Sequence, residues 1–311
     1  MPKLVARFAE NAFWLGRYIE RSENIARIID VNAAFARDEA GEADWKSVVA
    51  LYADLEAFDN GERAFTAEDV AYFYLLDRDN PNSVRAGMAQ ARENARAIRH
   101  LISTEMWADL NMAFNEMRGW TRREVRSTAL AETCARIVTD CQTFEGIAEG
   151  TFRRGEPWLF YQLGKLLERA DQTTRVLDIG HKRLDPGADE PLASVYWNAL
   201  LRAVSGFHAF RNRHSVSSGP SDVARFLLYD REFPRAVALC IEQASERLRS
   251  LEARHEAGRR EPVEAARRAL EFRLETGPEM ELTGEALHVF LDQLQMELGR
   301  MSTALAQSFF R

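Results

Sequence analysis

Leu15-Gly-Arg-Tyr-Ile-Glu-Arg-Ser-Glu-Asn-Ile-Ala-Arg-Ile-Ile-Asp-Val31 recurs 148 residues later as Leu163-Gly-Lys-Leu-Leu-Glu-Arg-Ala-Asp-Gln-Thr-Thr-Arg-Val-Leu-Asp-Ile179. Six of the 17 positions are identical, and most others exchange residues of similar chemistry. In the first copy, apolar residues return at spacings of three and four, which is the period of an amphipathic helix. The two stretches therefore predict a pair of long, related helices over 9–36 and 156–183.

Two further stretches recur in the same order along the chain. Asp69 to Val84 matches Asp222 to Val237 at nine of 16 positions, 153 residues apart. Trp45 to Asn60 matches Trp197 to Asn212 more weakly, 152 residues apart. Three matches that keep their order and nearly their spacing predict an internal duplication.

The sequence predicts an all-α fold. It shows no sustained period-2 alternation and no Asn-Gly or Asp-Gly turn between β-branched runs. The duplication gives helical halves at 1–152 and 153–311. We expect one compact multi-helix bundle whose halves are related by a pseudo-twofold axis, because a single copy would leave long amphipathic faces uncovered. Besides the two long helices, the predicted helices cover 44–58, 67–76, 81–102, 104–117, 120–150, 191–210, 221–229, 234–256, 261–275 and 284–309.

Composition narrows the class of protein. The 311 residues are 46% hydrophobic and 29% charged, which suits a folded globular chain. The net charge of −7 disfavours binding to nucleic acid, which requires a positive field. The start lacks a signal-peptide pattern and no stretch is apolar enough to span a membrane, so a cytoplasmic protein is expected. Cys134, Cys141 and Cys240 are an odd number without metal-site spacing, which predicts reduced, packed thiols.

Two Glu-Arg pairs lie at equivalent positions of the long helices, and their carboxylates, Glu20 and Glu168, are the candidate acid–base groups. The polar residues around them fall at spacings that share one helical face. One interpretation is a groove that binds an acidic or peptide-like ligand through Arg forks. The other, which the sequence favours, is an ion-pair network that sets the register between the copies. The candidate ligand-binding residues of the two helices are Arg17, Glu20, Arg21, Asn24, Arg27, Lys165, Glu168, Arg169, Gln172 and Arg175.

A second candidate site lies in the predicted loop 211–222. Arg211 and Arg213 stand next to several serines and a glycine, a combination that binds phosphate or carboxylate in other proteins. The segment lacks the glycine spacing and the Gly-Lys-Ser/Thr of a P-loop. The alternative is a solvated loop that ends in a helix cap at Ser221.

Two Glu-x-x-His motifs raise the question of a metal site. Glu252 precedes His255, and Glu285 precedes His288, with the spacing that di-iron bundles use. Such a site also needs two further inward-facing glutamates, and the first motif lies in an Arg-rich segment. We therefore predict no metal and no cofactor.

The stretch Glu10-Asn-Ala-Phe-Trp-Leu-Gly-Arg-Tyr-Ile-Glu-Arg-Ser-Glu-Asn-Ile-Ala-Arg27 resembles the bacterial alpha-E family, which is named for its helices and an E-R motif. Members tend to be encoded beside, or fused to, circularly permuted ATP-grasp proteins and transglutaminase-like peptidases. The resemblance implies those two partners and a system that forms and cleaves amide bonds on peptides. The sequence departs from the family pattern at Lys165, where an arginine would mirror Arg17, and at His214, where an aromatic residue is expected.

Three functions follow as hypotheses. The first, which the absence of a catalytic motif favours, is a non-catalytic partner that docks the ATP-grasp protein and holds a peptide. The second is an enzyme that uses Glu20 or Glu168 as its acid–base group. The third is a homodimeric structural protein.

Overall fold

A computed structural model describes residues 5–37, 45–60, 63–180, 190–214, 218–255, 261–277, 282 and 284–310. Over these ranges the chain forms helices, turns and irregular segments without a strand, which confirms the all-α prediction. None of the described helices is both long enough and apolar enough to cross a membrane. The helices are α1 (Ala6–Arg37), α2 (Trp45–Leu51), α3 (Leu55–Asp59), α4 (Ala67–Leu75), α5 (Val84–Ala97), α6 (Thr104–Arg118), a 3₁₀ helix (Arg122–Val125), α7 (Leu130–Thr151), α8 (Glu156–Gly180), α9 (Glu190–Ala203), α10 (Phe207–Arg213), α11 (Pro220–Tyr229), α12 (Val237–Glu252), α13 (Glu261–Thr276) and α14 (Gly284–Phe309).

The chain divides into two compact units. One contains Trp14–Arg153, and we call it the central unit. The other contains Met1–Phe13 and Arg154–Arg311, and we call it the terminal unit. The start of α1 therefore belongs to the same unit as the second half of the chain. The halves 1–152 and 153–311, the duplication and the pseudo-twofold axis stay predictions.

Three helices that the sequence predicts as continuous, 44–58, 120–150 and 191–210, are broken. The middle one becomes the 3₁₀ helix Arg122–Val125 followed by α7, and the other two are each divided at a left-handed residue. Ala53 and Ser205 stand at the breaks with φ of 57° and 58°, in the left-handed region. The amide of Asp54 donates to the carbonyl of Val49 at 3.3 Å, and the amide of Gly206 donates to that of Leu201 at 2.7 Å. These six-to-one bonds are the Schellman termination of a helix, which usually has glycine at the left-handed position. The prediction of a single helix in these two places was wrong, because the usual sequence signal for such a helix end is a glycine and neither break has one at the left-handed position.

Both breaks occupy the same place in the weakest of the three sequence matches, since 205 minus 53 is 152. The turns before α5 and α12 also correspond. Asp77 accepts from the amide of Asp79 at 3.0 Å and from Arg63 Nη2 at 2.7 Å. In the second turn, Asp230 accepts from the amide of Glu232 at 2.8 Å. Equivalent turns and breaks are the pattern that a duplication would leave.

The helices after these turns begin later than predicted. Pro81 and Pro234 lie inside the turns, and α5 and α12 start three residues beyond them, at Val84 and Val237. Ser83 caps α5, because its hydroxyl accepts from the amide of Ala86 at 3.1 Å. A proline fixes φ without requiring that a helix begin there, so these boundaries shifted.

In the terminal unit, α8 packs closely against the first turns of α1. A Cβ built on Gly164 would lie 1.9 Å from the carbonyl oxygen of Phe13. The ring of Phe13 packs on Phe310 with centroids 5.4 Å apart, and Phe160 packs on Phe309 at the same separation. Both ends of the chain thus contribute to the core of this unit.

Candidate functional site

The two candidate acid–base residues are sealed from solvent. Glu20 in the central unit and Glu168 in the terminal unit each have 0% of their surface exposed. Glu20 Oε1 accepts from Asn24 Nδ2 at 3.0 Å, and Glu168 Oε1 accepts from Gln172 Nε2 at 2.9 Å. Each bond joins residues four apart on one helix, which are neighbours on its surface. Each carboxylate therefore has a hydrogen bond from an amide side chain buried beside it.

The candidate residues of each long helix form a polar row, Arg17 to Arg27 on α1 and Lys165 to Arg175 on α8. The arginine at the end of each row pairs with an acid that is not among the candidates. Arg27 Nε donates to Glu23 at 2.8 Å, and Arg175 Nε donates to Asp171 at 2.8 Å. Both acids are buried or nearly so. The signal was available, because an acid four residues before an arginine is the favourable order for an ion pair on a helix. The two rows thus carry the same ladder of bonds in both units.

The remaining row residues lie at the edge of the packed interior. Arg17, Arg21, Lys165 and Arg169 are half-buried. The guanidinium of Arg17 lies 5.4 Å from the ring centre of Trp14, within the range of a cation–π contact. Long cationic side chains in such places bury their stems and keep their heads near water. Whether these residues bind a ligand stays a prediction.

A buried thiol of α7 lies near the acids of α1 in the central unit. Cys141 is buried, and burial raises the pKa of its thiol, with the neighbouring Glu23 as the next cause. Cys134 and Cys240 are also buried, and all three cysteines are free, which confirms that part of the prediction. A buried thiol with a raised pKa is a poor nucleophile, since the thiolate is the reactive form.

The predicted loop 211–222 is only partly a loop. Arg211 and Arg213 belong to α10, which ends at Arg213. Arg213 Nη1 donates to Asp230 at 3.0 Å, and its other terminal nitrogen contacts Glu232. Arg211 Nη2 donates to Asn198 at 3.3 Å. The arginines fall in α10 because the helix restarts after the break at Ser205, and Arg213 anchors the turn before α12.

The rest of that loop corrects a further detail. Residues 215–217, which include two of the predicted serines, lie outside the described residues. The cap of α11 is not Ser221. Pro220 occupies the first turn, and the Asp222 carboxylate accepts from the amide of Gly219 at 2.9 Å. A carboxylate in the first turn also interacts well with the positive end of the helix dipole.

The two Glu-x-x-His motifs do not form one site. Each histidine lies close to an acid outside its own motif. His255 Nε2 lies 3.5 Å from Glu156 Oε1, and its ring packs on Phe309 with centroids 5.2 Å apart. His288 Nδ1 lies 2.6 Å from Asp178 Oδ1, which joins α14 to α8. Neither pairing forms the four-glutamate core of a di-iron bundle.

His288 does stand in a trio that could coordinate a cation. One ligand atom each from Asp178, His288 and Asp292 lies within 4.8 Å of the others. However, His288 Nε2 points to Asp292 at 3.7 Å while Nδ1 points to Asp178. The hydrogen bond to Asp178 raises the pKa of the imidazole. Each ring nitrogen faces a carboxylate, an arrangement that suits an ion pair between α8 and α14 when the imidazole is protonated.

This ion pair predicts a pH-dependent contribution to stability. Because the folded-state pKa is raised, the contribution is complete below the unfolded pKa of about 6.5 and is lost as pH rises through the folded value. We expect His288→Gln to lower the free energy of unfolding by about 0.5 kcal/mol more at pH 5.5 than at pH 8.5, since the pair is partly exposed. Urea unfolding at the two pH values measures this.

The matched control for the pH experiment is the partner residue. In an Asp178→Asn background, His288→Gln should lose most of the difference between the two pH values, because only the weaker partner Asp292 remains. An equal loss of stability at pH 5.5 and pH 8.5 in the wild-type background would show that the ion pair does not form.

Sequence similarity relates the chain to a known family and to mycobacterial proteins. A sequence profile of Alpha-E, described as a predicted alpha-helical domain with a conserved ER motif, matches residues 4–310. Uncharacterized proteins of Mycobacterium bovis and Mycobacterium tuberculosis are 23% identical over 266 residues, covering 79% of this chain. The aligned region is 30% of the length of those relatives. No solved structure matches the chain.

Proposed function

This chain belongs to the Alpha-E family, and from that premise we propose that it is a non-catalytic helical partner in a system that forms amide bonds on peptides. Its partners would be a circularly permuted ATP-grasp ligase and a transglutaminase-like peptidase, as the family resemblance implies. The ligase would supply the nucleotide chemistry, and the helical protein would dock it and hold the peptide.

The full burial of Glu20 and Glu168 is the observation that carries the non-catalytic role. A general acid or base must reach within hydrogen-bond distance of the proton it transfers, directly or through one water. Neither carboxylate has exposed surface, and each accepts a hydrogen bond from an amide side chain four residues away. This environment suits a structural role better than proton transfer to a substrate. Buried polar groups need such partners, because an unsatisfied one costs about 1–3 kcal/mol.

The exposed apolar side chains support a docking role. Phe272 on α13 and Val289 and Met296 on α14 are each more than two-fifths exposed. Val289 and Met296 are seven residues apart and so share a face of α14. The helices α13 and α14 pack against each other, and exposed apolar surface on neighbouring elements is a common feature of interaction sites. We therefore expect the ligase interface to include this part of the terminal unit.

Co-purification tests the proposal. The chain is expressed together with a circularly permuted ATP-grasp protein, the partner that the family resemblance implies, and only one of the two carries an affinity tag. We expect the two proteins to elute together, with a dissociation constant on the order of micromolar. A Val289→Glu/Met296→Glu variant should weaken the complex at least tenfold, because it places charges in an apolar interface.

Met112 on α6 offers the matched control, since it is the most exposed methionine among the described residues but belongs to the central unit. Met112→Glu should leave the complex intact. No complex at tens of micromolar of each protein contradicts the docking role. A complex that both variants weaken equally contradicts the assignment to α13 and α14.

A further inference from the structure

A pocket in the central unit gathers three arginines. It lies between α5, α6 and the turn after α4, with a volume of about 280 Å³. Arg78 comes from the turn, Arg85 from the first turn of α5, and Arg118 from the last turn of α6. Phe114 and two alanines complete the lining. The volume suits a small group rather than a whole drug-sized ligand.

Arg85 lies deepest of the three and is only partly satisfied. Its Nη2 donates to the carbonyls of Met117 at 2.9 Å and Trp120 at 2.7 Å. Its Nε is buried, and none of the described residues accepts a hydrogen bond from it. Burial lowers the pKa of the Arg85 guanidinium, and the positive charge of Arg78 lowers it further. An unsatisfied donor and a nearby like charge both cost stability.

Arg78 and Arg118 are exposed at the pocket's rim. Neither guanidinium makes a hydrogen bond or an ion pair with any residue in the described part of the chain. Other arginines of the same helices are compensated: Arg92, also on α5, bonds to Asn111 and Glu93. The three pocket arginines therefore bring together positive charge that no carboxylate balances at contact distance.

The groove between α12 and α13 of the terminal unit provides an internal comparison. It is also a pocket, of about 530 Å³, and Arg231 enters it directly after Asp230, as Arg78 follows Asp77. Here the charges are paired, because Arg231 contacts Glu242 at 3.3 Å and Arg249 contacts Glu271 at 3.2 Å. The same place in the helix order thus carries ion-paired arginines in one unit and, in the other, arginines without an ion pair, where Glu124 acts on Arg85 only as a more distant charge.

We propose that the pocket formed by Arg78, Arg85 and Arg118 binds a phosphate group. Phosphate carries about 1.5 to 2 negative charges at neutral pH and three acceptor oxygens, which suits three guanidinium groups. A carboxylate has one charge and would leave more of the positive charge unbalanced. The site is independent of the proposed docking role, since phosphate binding requires no partner protein.

Calorimetric titration with inorganic phosphate tests the site. Sodium chloride keeps the ionic strength constant, because such binding is screened by salt. We expect saturable one-to-one binding with a dissociation constant on the order of 1 mM or tighter. Arg78→Gln/Arg118→Gln should weaken it at least tenfold. Both side chains are exposed and make no bonds that folding needs, so circular dichroism should show an unchanged fold.

The controls separate this site from general charge effects. Arg231→Gln removes the corresponding arginine of the other groove and should leave phosphate binding unchanged. Acetate, the carboxylate probe, should bind at least tenfold more weakly than phosphate. No saturable binding below about 20 mM phosphate, equal weakening by Arg231→Gln, or equal affinity for acetate would each overturn the proposal.

Parallel titrations with phosphoserine and adenosine monophosphate identify the source of the phosphate. Tighter binding of phosphoserine assigns the pocket to a phosphorylated side chain, and tighter binding of the nucleotide assigns it to a nucleotide. If inorganic phosphate binds best, the pocket takes the free ion.

Discussion

Gly164→Ala is expected to destabilise the protein by about 3 kcal/mol or more, the upper end of what overpacking costs. The added Cβ would lie 1.9 Å from the carbonyl oxygen of Phe13 and 2.8 Å from its carbonyl carbon. Both are backbone atoms of α1, so no side-chain rotation relieves the clash. Relief requires that α8 and the first turns of α1 move apart, which would disturb the aromatic packing of Phe13 on Phe310.

Urea unfolding, followed by circular dichroism, measures this loss. Gly299→Ala is the control in the same unit, because a Cβ at Gly299 of α14 meets nothing within 4 Å. Alanine is the better helix former, so this change should stabilise the protein by about 0.5–1 kcal/mol. A loss below about 1 kcal/mol for Gly164→Ala would mean that the close approach of α8 to α1 is absent in solution.

Glu168→Ala is the second change with a large expected effect, a loss of about 2–4 kcal/mol. It leaves a cavity where a buried carboxylate was and takes the acceptor away from Gln172 Nε2. Glu168→Gln keeps the size and one acceptor oxygen, so its cost should be smaller, about 1–2 kcal/mol. Chemical denaturation measures both, and the exposed Glu132→Ala on α7 should stay within about 0.5 kcal/mol of wild type.

The Glu168→Gln variant also distinguishes a structural carboxylate from a catalytic one. With the ligase present, Glu168→Gln should keep product formation within about threefold of wild type wherever the variant remains folded. Loss of product at unchanged stability would instead support the enzyme hypothesis. Glu20→Gln provides the parallel test in the central unit.

The parts of the fold that follow from local periodicity were predictable. The spacing of apolar residues around Leu15 and Leu163 gives the long helices, and the absence of period-2 alternation gives the all-α class. The breaks at Ala53 and Ser205 were not predictable, because alanine and serine carry no signal for a left-handed residue. The bond between Arg213 and Asp230 joins different elements, so the apparent loop arginine gave no hint of its partner.

The candidate sites also include features that could be predicted from the sequence and features that could not. The bonds within each Glu-Arg row follow from helical spacing, and so does the pairing of Arg27 with Glu23. The pocket of Arg78, Arg85 and Arg118 could not be predicted from sequence patterns, since its residues come from a turn and the ends of two helices. Their lack of ion pairs becomes visible only in the folded structure.

The division of the terminal unit between both ends of the chain affects its synthesis. Phe13 leaves the ribosome almost 300 residues before Phe310, the ring on which it packs. At about 5–20 residues per second, this interval lasts about 15–60 s. The first turns of α1 must wait for α8 while the whole central unit is translated, and Phe13 must spend the full interval without Phe310. A nascent chain of this kind exposes apolar surface for chaperones to bind, and a fragment that begins at Arg154 would lack part of its own core.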